Sequence, residues 1–508
     1  MTMELVQRSE AQVGAGQAPP AGLPALMQLF AELNRQGLRY CHWKSNVRLQ
    51  EALNGKTDLD LLVDAHQKKR FEQVMVAHGL KALQAARGKA YPGVENYLGL
   101  DHASGRLFHL HVHYQLILGE QFVKNVVLPL EKRFLDSAAP EHSVMVPAPE
   151  LELIVFSMRA LLKYRDRDAL KDLLGIRSPG VPKAILQEVH WLLSRTTLDR
   201  VRQTLQALHE IVPGDIVLSF LDIVTGKPRD GVRLFRQRSR LRRALRPYRR
   251  HTQLRASLIY FRELWSRSRS PKKMRLPHRG RSLALIGADG AGKSTMCKML
   301  RQWLSWKVDV RLFYLGSKQP SRRSEILYLL FRLFRRSHRS LGRLLGMQSA
   351  VAKRLDIWRQ SLLYRHQLSL ANDRYRRYRV GRHLAEAGVV VIYDRFPLAP
   401  KLDGPKIEAL AGGEPADPAT PDLVKRFGPR EQAVYDAFEL PDHVFLLDVT
   451  PDVSLARKPD HDRAAVEAKY RLLQEMMAKC APQIVCVDAN QELEDVVLDL
   501  KRAVWQAL

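Results

Sequence analysis

The chain has 508 residues and a formal net charge of +29, from 82 Lys and Arg against 53 Asp and Glu. That length exceeds one ordinary core, so two or three domains are expected, and the four cysteines (Cys41, Cys297, Cys480, Cys486) make neither a disulfide framework nor a paired C-x-x-C metal pattern. No apolar run reaches the ~18 residues of a membrane span, and the first residues lack the basic-then-apolar order of a secretion signal, so a cytoplasmic protein is expected, at most peripheral to the inner membrane face.

Residues 1–22, rich in Gly, Ala and Pro, are expected to be disordered. From 23 to 147 helical and strand patterns alternate: LPALMQLFAELNRQG is an amphipathic helix ended by Gly37, LDLLV is an apolar run, and LFHLHVHYQL alternates like a strand. The spacing predicts an α+β domain. Within it, HWKSN at 42–46 precedes TDLDLLV at 57–63. Asp58 and Asp60 alternate along a strand, so both point to one face, where they could share a Mg²⁺ carrying a nucleoside triphosphate. A serine turn followed by D-x-D resembles the nucleotidyltransferase fold, which implies such a metal site and a helical annex. Two residues depart from that pattern: Lys44 stands at the glycine position, and His111 stands where a third carboxylate is expected. A working transferase therefore competes with a degenerate one that binds a nucleotide or a partner. His109, His111 and His113 share one strand face, which reads as a transition-metal site or as a face of hydrogen-bonded histidines.

Residues 148–225 are helical in pattern, broken by SPGVP at 178–182, and form the annex. Residues 226–280 read as a basic helical connector: from Lys227 to Arg281 there are 20 basic residues and 2 acidic ones.

From 281 to 508, strands alternate with helices, which implies a parallel, doubly wound α/β sheet. LALIGADGAGKST opens this region, and Gly287-x4-Gly292-Lys293-Ser294 has the spacing of a P-loop. Glycines let the backbone N–H groups of Gly287, Ala288, Gly290, Ala291, Gly292 and Thr295 turn inward around phosphates. Lys293 then reaches the β and γ phosphates and the Ser294 hydroxyl sits on Mg²⁺. Further on, GVVVIYDRF puts Asp394 and Arg395 at a strand end, and DHVFLLDV ends at Asp448 ahead of a helix closing in Arg457 and Lys458.

These motifs, in this order, resemble the thymidylate kinase-like branch of nucleoside monophosphate kinases over residues 281–508. The resemblance implies a three-layer α/β fold, ATP, Mg²⁺ and transfer of the γ-phosphoryl group to a small acceptor. It implies Asp394 near Mg²⁺ or the acceptor, Arg395 on phosphate, Asp289 facing the acceptor, and Arg457, Lys458 and Arg463 in a lid. The plainer alternatives are a structural ion pair at Asp394–Arg395 and a solvated helix end at Arg457–Lys458. Asp448 is the second-ranked carboxylate. Ile286 replaces the acidic residue before the P-loop glycine, LGSKQPSRRS replaces the acceptor loop, and PLAPKLDGP replaces the thymine-binding segment. The acceptor is therefore expected not to be dTMP, with Gly316, Ser317 and Asp403 in a rebuilt site. Such variants resemble kinase-like proteins of bacterial surface polysaccharide gene clusters, which implies nucleoside monophosphate-like, sugar or sugar phosphate acceptors.

The stretch 322–346 sets Ile326, Leu329, Leu330 and Leu333 against Arg322, Arg332, Arg335, Arg336 and Arg339. The first expectation is an apolar stripe packed on the kinase core with a basic face toward a phosphorylated acceptor; the second is an anionic membrane surface, and nucleic acid comes last. The competing class to a kinase is a nucleotide-gated adaptor that docks on membrane or a polysaccharide-assembly complex with little turnover.

Overall fold

In this computed structural model the described residues are 22–86, 89–119, 123–164, 181–226, 231–266, 273–288, 290–316, 318–397, 420–459, 462–479 and 484–508. The chain divides into two compact units, Met1–Lys272 and Lys273–Leu508.

The first unit is built on five strands, β1 (Tyr40–His42), β2 (Leu59–Val63), β3 (Lys81–Leu83), β4 (Val94–Asp101) and β5 (Arg106–His113), in the order β1-β2-β5-β4-β3. Only β2 and β5 run parallel, which sets Asp60 opposite His111. The helix Pro24–Arg35 starts on a proline at its first turn and buries Leu26, Leu29, Phe30 and Leu33. Burial of such side chains contributes about 1.5–3 kcal/mol each before entropy is subtracted. Two hairpins follow, β6 (Leu116–Leu118) with β7 (Val126–Leu128) and β8 (Ala139–Glu141) with β9 (Val144–Val146). A helical layer of Pro149–Lys163, Lys183–Leu193, Leu198–Ala207 and Gly214–Thr225 then closes a second apolar core.

The segment read as a connector is divided between the units. Helix Gly231–Ala244 places Leu234 and Leu241, with Leu245 after it, in the core of the helical layer, and Asn125 binds the backbone of Arg250 and His251. Residues 273–280 belong to the second unit. Met274 N–H donates to the Lys307 carbonyl, Asp309 N–H to Met274, Leu276 to Gly388 and Gly280 to Ala385.

The second unit is a wholly parallel sheet of β10 (Ser282–Gly287), β11 (Val310–Tyr314), β12 (Val390–Asp394), β13 (His443–Asp448) and β14 (Ile484–Asp488), in the order β11-β12-β10-β13-β14. β10 and β12 are buried along their whole length, as expected of continuous apolar runs covered on both faces. The helices Lys293–Leu304, Arg322–Leu345, Ala350–Glu386, Thr420–Asp436, Pro451–Arg457, Arg463–Lys479 and Leu493–Ala507 complete the unit. With β10 central, its carboxyl end opens between those of β12 and β13, where ligands bind in sheets of this kind.

The Arg322–Leu345 helix overturns the first expectation for its apolar stripe. Its packed seam is Ser324, Phe331, Phe334 and His338, which meet Ser369, Asp373, Trp358 and Asp356 of the following long helix or are buried beside it. Ile326, Leu329, Leu330 and Leu333 are exposed, at 57%, 56%, 38% and 61%. At about 100° per residue they lie roughly opposite the seam, so the stripe faces outward and packs on no core of the described residues. No helix of the described residues is long and apolar enough to cross a membrane.

Candidate active site

The loop after β10 turns back through three glycines with positive φ, Gly287 at +148°, Gly290 at +93° and Gly292 at +80°, and the helix Lys293–Leu304 begins at once. Gly290 also needs its missing side chain, because a Cβ there would sit 3.0 Å from both the carbonyl oxygen and Oγ of Ser454. Ala288 and Ala291 are buried under the loop, Thr295 is exposed, and Asp289 lies outside the described residues. The Lys293 ammonium donates to the carbonyl oxygens of Gly287 (3.0 Å) and Ala288 (2.6 Å), which holds it over the cradle.

Register brings the next strand's carboxylate to this loop. Leu285 of β10 pairs with Asp394 of β12, and the Ser294 hydroxyl donates to Asp394 Oδ2 at 2.8 Å. Asp394 is only 5% exposed, and its Oδ1 is buried with no hydrogen-bond partner among the described residues. A buried carboxylate oxygen left open beside a hydroxyl is a set that fits a hard divalent cation. Beneath the site, burial and the nearby Asp394 push the Cys297 thiol well above its ordinary range, so Cys297 is inert packing.

Arg395 follows directly, exposed, with φ at +62°, an uncommon conformation for a residue with a side chain. Asp448 ends β13 beside the loop, since its neighbour Leu447 pairs with Gly287. It accepts from Gln474 Nε2 at 3.3 Å, and burial together with neighbouring Asp488 pushes its carboxyl up. Arg457 and Lys458 are exposed at the end of the short helix whose Ser454 rests on Gly290, so they stand one turn from the loop. Arg463 is paired on the surface with Asp452 (2.6 Å) and Glu467 (3.0 Å). On the other side, Gly316 is held through its carbonyl by Arg377 at 3.2 Å, and Asp373 accepts from the Ser321 N–H at 2.9 Å. Ser317 and Asp403 lie outside the described residues. Ser454, Arg377 and Asp373 carried no motif; they come from helices whose sequence shows only packing.

In the first unit Asp58 and Asp60 do point to one side, but toward nitrogen rather than toward each other's metal. His109 Nδ1 lies 3.0 Å from Asp58, while His111 Nδ1 (2.8 Å), His113 Nε2 (3.7 Å) and the Lys44 ammonium (2.7 Å) all approach Asp60 Oδ1. Burial alone would raise the Asp60 carboxyl, but Lys44, His111 and His113 hold it well below its ordinary range. This donor set does not fit Mg²⁺, since among the described residues no third carboxylate joins it and an ammonium stands on the oxygen a metal would need. Asp60, His111 and His113 have the spacing to hold a softer ion.

No family model matches the chain. Among curated proteins, part of it is similar to the uncharacterized ATP-binding protein YghR of Escherichia coli strain K12, 26% identical over 230 residues, 44% of this chain and 86% of the relative. It is also similar to the uncharacterized ATP-binding protein YghS of the same strain, 25% identical over 236 residues, 45% of this chain and 94% of the relative. Among solved structures, deoxyadenosine kinase from M. mycoides with bound dATP aligns over 44% of this chain and 98% of its own, with a TM-score of 0.28 and 15% identity.

Proposed function

We propose that this chain is an ATP-dependent phosphotransferase of the thymidylate kinase-like kind, moving the γ-phosphoryl group from Mg²⁺-bound ATP to a nucleoside monophosphate-like, sugar or sugar phosphate acceptor. The observation that carries it is the Ser294–Asp394 pair with the open Asp394 Oδ1, built at the mouth of the glycine loop. The ATP-binding description of both Escherichia coli relatives supports the donor.

Phosphoryl transfer is chiefly positioning and charge neutralisation. In this reading the loop N–H groups hold the donor phosphates, and Lys293 leaves the Gly287 and Ala288 carbonyls for the β and γ oxygens. Ser294 and Asp394 would hold Mg²⁺, which would supply positive charge to offset that of the phosphates. Arg395, Arg457 and Lys458 add positive charge from two sides, and Asp289 orients the acceptor. Arg377 shapes the acceptor loop through Gly316.

The test is label transfer from γ-labelled ATP to a panel of nucleoside monophosphates, sugars and sugar phosphates, with Lys293→Ala and Ser294→Ala as controls. Label on one acceptor, lost in both variants, supports the kinase. ATP binding without transfer to any acceptor overturns it in favour of the adaptor.

One observation favours the second reading, a chain that docks on anionic membrane: the exposed stripe Ile326, Leu329, Leu330 and Leu333, flanked by arginines. Co-sedimentation with vesicles rich in anionic lipid, lost on Leu329→Glu with Leu333→Glu, supports docking. Equal sedimentation of both proteins refutes it.

A further inference from the structure

The first unit carries a second concentration of chemistry that the phosphotransfer site does not use. Around Trp43, two cations converge: the Lys44 ammonium lies 4.8 Å from the ring centroid and the Arg159 guanidinium 5.9 Å. Arg159 reaches Ser45 Oγ at 3.5 Å and Glu188 at 3.4 Å, and Ser45 itself sits at φ +59°. Beside them opens a cleft of about 290 Å³ whose wall includes Ser45, Arg48, Phe156, Arg159, Lys163 and Glu188. Lys124, over the Tyr91 ring at 4.3 Å, is close enough for its charge and those of Lys44, Lys163 and Arg159 to act on one another.

Among the described residues the cations outnumber the carboxylates: Lys44, Lys124, Arg159 and Lys163, with Arg48 on the rim, meet Asp58, Asp60, Glu188 and Glu152, which acts on Arg159. Burial first, and then the neighbouring Lys44, push Lys124 down to about 7. A cation would have to enter this field and displace Lys44 from Asp60. An anion is drawn into it.

We propose that the first unit binds a phosphate-bearing small molecule of the pyrophosphate class without a divalent cation, with Lys44 holding on Asp60 the place of a metal and Arg48, Arg159 and Lys163 receiving the phosphates. The pairing of Lys44 with Asp60 fixes the ammonium over the Trp43 ring, which Arg159 of the cleft wall also meets, as a metal would be fixed, while arginine forks and a lysine supply the donors that phosphate oxygens need. The site binds and does not transfer: its carboxylates are already paired to Lys44 and to histidines.

The experiment is equilibrium dialysis of labelled pyrophosphate against the full chain carrying Lys293→Ala, which silences the glycine loop, in excess EDTA. Saturable binding in EDTA is expected. It should weaken by about tenfold or more in Arg159→Gln with Lys163→Gln, the loss of two charge-assisted contacts. Asp60→Asn should bind as well as its parent or better, because the amide oxygen still accepts from Lys44 while a charge that repels the anion is gone; a melting curve checks that it folds. Binding that appears only with added Mg²⁺, Mn²⁺ or Zn²⁺ and vanishes in Asp60→Asn would show a metal at Asp60 and overturn the proposal. So would no binding with or without metal, or binding in EDTA that Arg159→Gln with Lys163→Gln leaves unchanged.

Discussion

Replacing Asp394 by Asn separates a catalytic carboxylate from a structural one. In a structural ion pair the charge stabilises the fold, and its loss is costly. Among the described residues Oδ2 has one neutral donor, the Ser294 hydroxyl, and Oδ1 is buried without a partner. Asparagine keeps an acceptor for Ser294 and removes the buried charge, so the stability of the ligand-free protein should change by no more than about 1 kcal/mol in either direction. For a unit of this size that is about 2–4 °C in Tm. Phosphotransfer should behave in the opposite way and fall by about 10²–10³, or about 2.7–4 kcal/mol, the usual loss when one stabiliser of developing charge is removed. Two measurements decide: thermal unfolding without ligand, and calorimetric titration of ATP with Mg²⁺ and with EDTA. The variant should melt near the parent and lose the gain in affinity that Mg²⁺ gives it. A variant that melts far lower yet keeps Mg²⁺-dependent ATP binding would refute the reasoning and return Asp394 to a strand-end role.

Gly290→Ala should cost about 1–2 kcal/mol through its left-handed backbone and also press on Ser454, lowering ATP affinity about tenfold in calorimetry; unchanged affinity would show that this loop is not the cradle. Burial pushes the Glu152 carboxyl up to about 7, against two donors from Asn46. Its folded value lies above the ordinary 4.5, so the stability it contributes is complete below that value and is lost as pH rises through about 7. Glu152→Gln should therefore flatten the fall of Tm between about pH 5 and pH 8, a span worth up to about 3 kcal/mol, and an unaltered slope would count against the assignment. Asp442 accepts from both the N–H and the hydroxyl of Ser282 at 2.7 Å, pinning the start of β10; Asp442→Ala should lower the urea midpoint by the equivalent of about 1–3 kcal/mol, and no change would mean that water replaces both bonds.

The glycine loop was legible because its chemistry is local: spacing alone puts Lys293 and Ser294 on the first turn of a helix. The buried strands were legible because unbroken apolar runs such as VVVIY have few other uses. The partnership of Ser294 with Asp394 depends on register across 100 residues, and only the family resemblance suggested it. The connector was misread because arginine dominates its composition, while Leu234, Leu241 and Leu245, which bury it, are few and spaced along one helix face. The Arg322–Leu345 helix misled in the other direction. Its apolar residues are the conspicuous ones, yet the seam runs through Ser324, Phe334 and His338, where hydroxyl, ring and imidazole side chains find partners on the neighbouring helix. Strand alternation sets Asp58 and Asp60 on one side, but it cannot report that Lys44 and two histidines approach the same Asp60 oxygen.

The strap of residues 273–280 governs how the second unit can be studied apart from the first. Its backbone satisfies the carbonyls of Lys307, Ala385 and Gly388 and receives the N–H of Asp309, all at the margin of a parallel sheet. A fragment begun at the first residue of the visible α/β pattern would shed this strap and bare those groups beside β11. Such a fragment should precipitate on expression, a result easily mistaken for dependence on the first half of the protein. Recombinant boundaries set upstream of Lys273 keep the strap, and only fragments of that kind can say whether nucleotide handling belongs to the second unit by itself.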